Sequence, residues 1–542
     1  MSRLPRAPLL VRTSKKIRRS TTCQTKGSSL FQKERKLVTR NKPSTPSLRI
    51  LFVASEVDGF VKTGGLADVA KSLPAALQAL GHDVRIVMPC YRPVAARDEA
   101  ETALTTELYV PTQPQAVPYR VKTLKSGEIP VYAVDAPHYF DRPEIYAENN
   151  QGYADNGERF AFFSAASLDL CEKIGFQPDV VHCNDWHTGL VPFLLRTRYA
   201  DNAFFAQTQS VITIHNAVFQ GIFNYDQYSL IPELIQHRYV QLEAGSANIS
   251  MLKAGVAYAD KVNAVSPNYA KELVTELGAH GMARDFQQRA SDLYGIVNGC
   301  DYGDWNPESD PFIKQNYKAN KVSLARGKKA CKRDLQQQVN FPQDDVPLYG
   351  MVCRLTEQKG IHYLLPILQD FLLNDVQIVV VGSGDPKLAA ALREISEAHS
   401  DKFAFVEAYN NPLAHCVEAG ADFFLMPSEF EPCGLNQIYS LVYGTLPIVR
   451  SVGGLKDTVI DYDTTPQVAT GFIFDAPTPE ALLIKLQRSL LLYCQRPQEF
   501  KRLQQNAMAC RFEWSEAAEQ YVRMYLGEEH TAQATVGDVT PV

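Results

Sequence analysis

The chain has 542 residues, 45% of them hydrophobic and 21% charged, with a formal net charge of −5. That length asks for more than one core, and that charge excludes the broad basic surface with which proteins wrap nucleic acid. Apolar runs such as 376–381 and 422–427 are strand-length, far short of the roughly 20 residues of a membrane span, so a soluble protein without a membrane partner is expected.

The first 47 residues carry thirteen Lys/Arg against one acid, Glu34, and contain no apolar core of a signal peptide. Their composition fits an organellar transit peptide, a disordered basic arm or a misassigned start equally well. Next, an apolar strand over 49–56 leads through a glycine-containing loop (58–65) into a helix. Leu66, Val69, Ala70, Leu73, Leu77 and Leu80 recur there at helical spacing. Gly81 stands at the expected C-cap, Pro74 is expected to kink the helix, and 84–88 reads as the next strand. Segments 179–183 and 210–214 read as further buried strands ending in polar residues. From about 347, strands over 348–353, 376–381, 403–406 and 423–426 alternate with helices opening after Gly360, Pro386, Pro412 and Gly434. Such alternation means parallel sheets with helices on both faces, and ligands bind beyond the carboxyl ends of those strands. The polar stretch 306–345 between the two regions is expected on the surface. Eleven cysteines without C-x-x-C or zinc-ligand spacing read as thiols in a reducing compartment.

Polar residues at strand ends are the candidates for chemistry. Lys62-Thr63-Gly64-Gly65 joins the first strand to its helix, so Gly64 and Gly65 amides and the Lys62 charge suit an anion; an ordinary strand-to-helix turn is the alternative. Arg354 and Lys359 follow the strand ending at Cys353, where two cations can neutralise a diphosphate leaving group; an exposed ion pair with Glu357 competes with that reading. Glu431 lies between a buried strand and a helix, where a carboxylate can steady positive charge on a sugar carbon or simply cap the helix. Glu429 makes the local count of acids ambiguous. Asp185 and His215 also follow strands, and two such clusters in one domain favour a sugar site over a structural role.

These segments resemble one family in order. The run Lys62-Thr63-Gly64-Gly65-Leu66-Ala67-Asp68-Val69 resembles the N-terminal signature of ADP-glucose-dependent glycogen and starch synthases. The resemblance continues through Asn184-Asp185-Trp186-His187, Thr213-Ile214-His215-Asn216, Arg354 to Gly360, Glu431-Pro432-Cys433-Gly434-Leu435 and Gly453-Gly454-Leu455-Lys456-Asp457-Thr458. It spans roughly 49–528 and implies an α/β fold of GT-B type, two Rossmann-like domains facing a central cleft. By that analogy the first domain is 48–295 with a returning helix at 511–528, the second is 296–510, and 529–542 is a flexible tail. The implied reaction moves glucose from ADP-glucose to an α-1,4-glucan such as glycogen, with retention and without a cofactor or metal. The resemblance implies that Lys62, Gly64 and Gly65 cradle the donor, Arg354 and Lys359 bind the leaving phosphates, His215 and Asp185 sit at the donor sugar, and Glu431 is the essential carboxylate. Tyr439 stands where related retaining transferases carry a second acid, which favours front-face attack over double displacement. A phosphorylase would need a lysine-bound pyridoxal phosphate, and no resemblance to that segment is present; a non-catalytic glucan binder would be expected to have lost Lys62, Arg354, Lys359 or Glu431. The implied compartment is the cytoplasm, or a plastid if 1–47 is a transit peptide.

Overall fold

The computed structural model describes residues 46–528, apart from 112, 114, 150, 238, 246 and 409. The readings of the basic arm (save its last two residues) and of the tail 529–542 therefore lie outside the described residues.

Residues Arg49–Val53 form the first strand, buried on both faces as central strands of parallel sheets are. It lies inside a nine-stranded sheet. The spatial order is Leu293–Gly295, Lys261–Ala264, Gln209–Ile214, Val180–Asn184, Arg49–Val53, Asp83–Pro89, Ile129–Asp135, Val117–Ser126 and Glu101–Leu108. The first seven run parallel, and the last two close one edge as an antiparallel meander. The helix Gly65–Ala79 buries Leu66, Val69, Ala70, Leu73 and Leu77 against this sheet and runs on through Pro74. It ends as expected at Gly81, whose φ of 96° allows His82 N–H to reach Leu77 and Gly81 N–H to reach Gln78.

A second sheet has six strands in the order Phe403–Val406, Gln377–Val381, Leu348–Val352, Phe423–Met426, Leu446–Arg450 and Phe472–Phe474, all parallel. In chain order this is 3-2-1-4-5-6, with the reversal between Leu348–Val352 and Phe423–Met426. The chain then returns: Trp514–Tyr525 packs Ala518, Tyr521 and Tyr525 into the core of the first sheet. There Tyr525 Oη is 2.7 Å from His182 Nδ1 and Tyr521 Oη accepts from Asn263 at 3.0 Å.

The stretch 306–345 is largely exposed, as expected, but part of it is buried. It contains the helix Lys321–Gln338, opened by the Asn320 side chain accepting from Ser323 N–H. Leu324, Cys331 and Leu335 are buried along it, and so are Lys328 and Lys332. Two of its buried charges are paired: Lys332 Nζ lies 2.6 Å from Asp422, and Asp310 lies 2.8 Å from His415 Nδ1. Polar composition misleads where each polar group has a partner inside.

Candidate active site

Both sheets bring their topological switch points to one cleft of about 890 Å³, the place where open α/β sheets bind ligands. On the first side, residues 54–64 leave the end of the first strand. Buried Glu56 organises them: its carboxylate accepts from Thr63 N–H (2.5 Å), Thr63 Oγ1 (2.6 Å), Gly64 N–H (3.3 Å) and Tyr146 Oη (2.7 Å). Those two amides are thus spent inside the protein, and only the amides that follow them at the helix start are left for an anion. Lys62 is drawn along the same loop, 2.6 Å from Asp68 and 3.6 Å from Asp58. Burial pushes the Asp68 carboxyl up, against the pull of Lys62. Glu56 escaped sequence reading because an isolated acid six residues before a Lys-Thr-Gly-Gly run carries no local signal. Glu56→Ala is expected to leave four donors without their acceptor. Each such orphan costs about 1–3 kcal/mol, so a thermal midpoint lowered by several degrees together with a raised donor KM is the expected outcome, measured by calorimetry and initial rates.

On the second side, two loops are laced together at the reversal of strand order. Glu429 N–H donates to Gln358 O at 2.8 Å, and Gln358 Nε2 to Phe430 O at 3.2 Å. Gly360, at φ 70°, passes so close to Pro427 that a Cβ there would lie 1.9 Å from its carbonyl oxygen. This close approach sets Lys359 Nζ 2.5 Å from Glu431 Oε2, which also accepts from Ser428 Oγ at 3.1 Å. Arg354 lines the cleft beside them, exposed. Lys359 therefore pairs with Glu431 and not with Glu357. Glu431 is no helix cap either: the helix Asn436–Tyr443 starts after Leu435 with no side-chain cap. The second acid separates cleanly, since Glu429 is bound by His362, Tyr363 and Arg450 and does not line the cleft.

The cleft thus unites Lys62, Gly64, Gly65, Arg354, Lys359 and Glu431. Asp185 and His215 are not among its lining residues. Asp185 adopts φ 53°, ψ −171°, a region few side chains tolerate, and its Oδ1 accepts from His215 N–H at 2.7 Å and Asn216 N–H at 3.4 Å. His215 Nε2 is 2.9 Å from Asn184 Oδ1. Sequence reading also missed the cleft's aromatic wall, in which Trp305 stacks on Tyr439 (4.0 Å, 3°) and on His415 (3.8 Å, 6°). These three are far apart in the chain and share no motif.

The two lobes also touch beside Glu431. Ser266 Oγ donates to Pro432 O at 2.7 Å, Asn268 N–H to Asp457 at 2.7 Å, and Gly453 N–H to Glu272 at 2.9 Å. Within the second lobe, Gly454 N–H donates to Glu431 O at 3.1 Å. Gly453 has φ 41°, and a Cβ there would sit 2.0 Å from Glu431 O, so only glycine allows this approach.

Burial gives this region a definite response to pH. It pushes His182 and His215 down to about 3, and His187 well below its usual value; it pushes Asp185 up to about 7, although two backbone amides pull the other way. Below about pH 6.5 the unfolded chain binds protons at three histidines that the folded protein leaves neutral, so stability falls on acidification. Asp185 works oppositely between about pH 7 and 4, where the folded state binds the extra proton. Each group is worth about 1.4 kcal/mol per pH unit within its window, and the three histidines outweigh one aspartate. The thermal midpoint is expected to drop steadily from pH 6.5 to 5; a flat profile would show these histidines protonated in the folded state.

Two Rossmann-like lobes sharing one cleft, with cations beyond the strand ends of both, define a GT-B glycosyltransferase. Residues 49–288 match the family model "Starch synthase catalytic domain" and 332–507 match "Glycosyl transferases group 1". Over 484 residues the chain is 78% identical to a glycogen synthase of Photobacterium profundum, covering 89% of this chain and 95% of that one. It is 61% identical over 481 residues to a glycogen synthase of Vibrio atlanticus, covering 89% and 99%. Among solved structures, the catalytic domain of starch synthase IV from Arabidopsis thaliana, bound to ADP and acarbose, aligns with a TM-score of 0.80 at 29% identity, over 89% of this chain and 99% of that one. The chain belongs to the glycogen synthase family.

Proposed function

We propose that this enzyme transfers glucose from ADP-glucose to the non-reducing end of an α-1,4-glucan, with retention, to build glycogen. The observation that carries this reading is the Lys359–Glu431 pair beside Arg354 in the shared cleft. Two mostly buried opposite charges, side chains 18% and 9% exposed, are tolerable together and costly apart. A diphosphate entering the cleft offers Lys359 a more negative partner. Lys359 then turns to the phosphates with Arg354, and Glu431 is released to face the sugar as positive charge develops on its anomeric carbon. The same event that binds the donor thereby unmasks the carboxylate, and no metal is required to balance the leaving ADP.

The other assignments follow from position. Lys62 and the Gly65 amide support the donor from the first lobe, with Gly64 lining the cleft beside them. Asp185 acts through the main chain of His215, and since neither lines the cleft, both serve the donor sugar by holding that loop rather than by touching the sugar. Tyr439, at the position where related retaining transferases carry a second acid, is stacked on Trp305, which supports front-face attack. The division into 48–295 with 511–528, and 296–510, is part of this reading and is supported by the presence of one large sheet in each part. Cytoplasmic residence is part of this reading. Among the described residues no helix is long and apolar enough to cross a membrane.

The test is a donor comparison on glycogen primer. ADP-glucose is expected to give the higher kcat/KM and UDP-glucose the lower, with nucleotide release dependent on primer. Equal use of both donors would defeat the donor assignment, and release without primer would defeat the acceptor.

A further inference from the structure

A second concavity, of about 730 Å³, lies away from the cleft, between the helices Lys321–Gln338 and Pro497–Ala509. Its charge is unlike that of the whole molecule. The chain is net negative, yet this groove is lined by Lys321, Lys328, Lys329, Lys332, Lys501 and Arg502 against only Asp345 and Asp422. Two of the lysines are structural. Lys332 is bound to Asp422, and Lys328 donates to Ala421 O at 2.6 Å and Thr445 Oγ1 at 2.5 Å. Lys321, Lys329 and Lys501 are different: they are exposed at the rim, and among the described residues they have no carboxylate partner.

The usual fate of such lysines is a solvated helix face laced with acids one turn away. That explanation fails here, because Lys321–Gln338 contains one acid, Asp334, and none in its first turn. Lys321 even stands at the first helical position, where the helix dipole disfavours a cation and favours an anion. The floor is apolar, with Leu324 and Phe500 buried and Tyr493 beside them. Gln498 and Gln505 add amides to the opposite wall. A concavity of this volume holds a small molecule and does not track a polymer, and the overall negative charge opposes a nucleic acid.

We propose that this groove is a binding site for a small phosphorylated metabolite: its phosphates held by the unpaired lysines of the two walls, its hydroxyls by the glutamine amides, its body on the apolar floor. The cleft is also built for phosphates, so the test must separate the two. The full chain is saturated with ADP and titrated with fructose 1,6-bisphosphate by calorimetry, beside sulfate at equal ionic strength and beside the variant Lys329→Glu/Lys501→Glu. Both replaced residues are exposed and remote from the cleft, so the variant is expected to fold and to keep the parent turnover. The expected result is one saturable site for the bisphosphate, at least about tenfold weaker in the variant because attraction becomes repulsion, and not reproduced by sulfate. No binding to the ADP-saturated enzyme, equal binding by the variant, or equal binding of sulfate would each overturn the proposal. If the variant's thermal midpoint shows misfolding, Lys329→Gln/Lys501→Gln takes its place, with the same outcomes.

Discussion

Glu431→Gln is expected to lower kcat by about 10²–10³-fold while KM for ADP-glucose changes little. In the proposed role the carboxylate faces charge that exists only as the bond to the diphosphate breaks, and an interaction made only in the transition state appears in kcat. Removing one such stabilising group costs on the order of 3–4 kcal/mol. Glutamine keeps the shape and can still accept from Ser428, so the protein should remain folded. Lys359 loses its partner at 2.5 Å and becomes freer to meet the donor, which works against any rise in KM. A near-normal kcat in a destabilised variant would reduce Glu431 to an anchor for Lys359.

Lys359→Ala and Arg354→Ala should damage both parameters, because the diphosphate is charged in the ground state and more so as it leaves. A combined loss of about 10³-fold in kcat/KM corresponds to about 4 kcal/mol, within reach of charge-assisted hydrogen bonds lost in a closed site. The two variants should part company in stability. Removing Lys359 leaves Glu431 mostly buried and unpaired, a loss of about 3–5 kcal/mol in comparable pairs. Arg354 is exposed, and its loss should leave the thermal midpoint almost unmoved. Adding Glu431→Gln to Lys359→Ala should restore part of the lost stability without restoring rate. Equal midpoints for the two single variants would contradict the pairing.

What could be read in advance has a physical pattern. Buried parallel strands such as Leu348–Val352 and Phe423–Met426 announce themselves as short apolar runs, and the observed bounds differ from the expected ones by only a residue or so. Cleft residues that follow such strands, Arg354 and Glu431 among them, are legible because the fold itself turns strand ends toward the cleft. Contacts between distant segments were not legible. Glu56 gains meaning only when the loop folds back on it, Ser266 only when the second lobe offers the Pro432 carbonyl, and the Trp305 stack only when three separate segments converge. The buried part of 306–345 went unread for the same reason: partners such as Asp422 and His415 lie 90 and 105 residues away from Lys332 and Asp310. Asp185 and His215 stand between these cases, since their strand ends were readable but their position outside the cleft lining was not.

A crystal structure of the enzyme with ADP bears on all of this at once. The diphosphate is expected on Arg354 and Lys359, with Lys359 Nζ moved off Glu431 and the carboxylate facing the space next to the terminal phosphate. ADP bound elsewhere, or bound in the cleft with Lys359 still on Glu431 and neither cation on a phosphate, would contradict the exchange of partners on which the proposed catalysis rests.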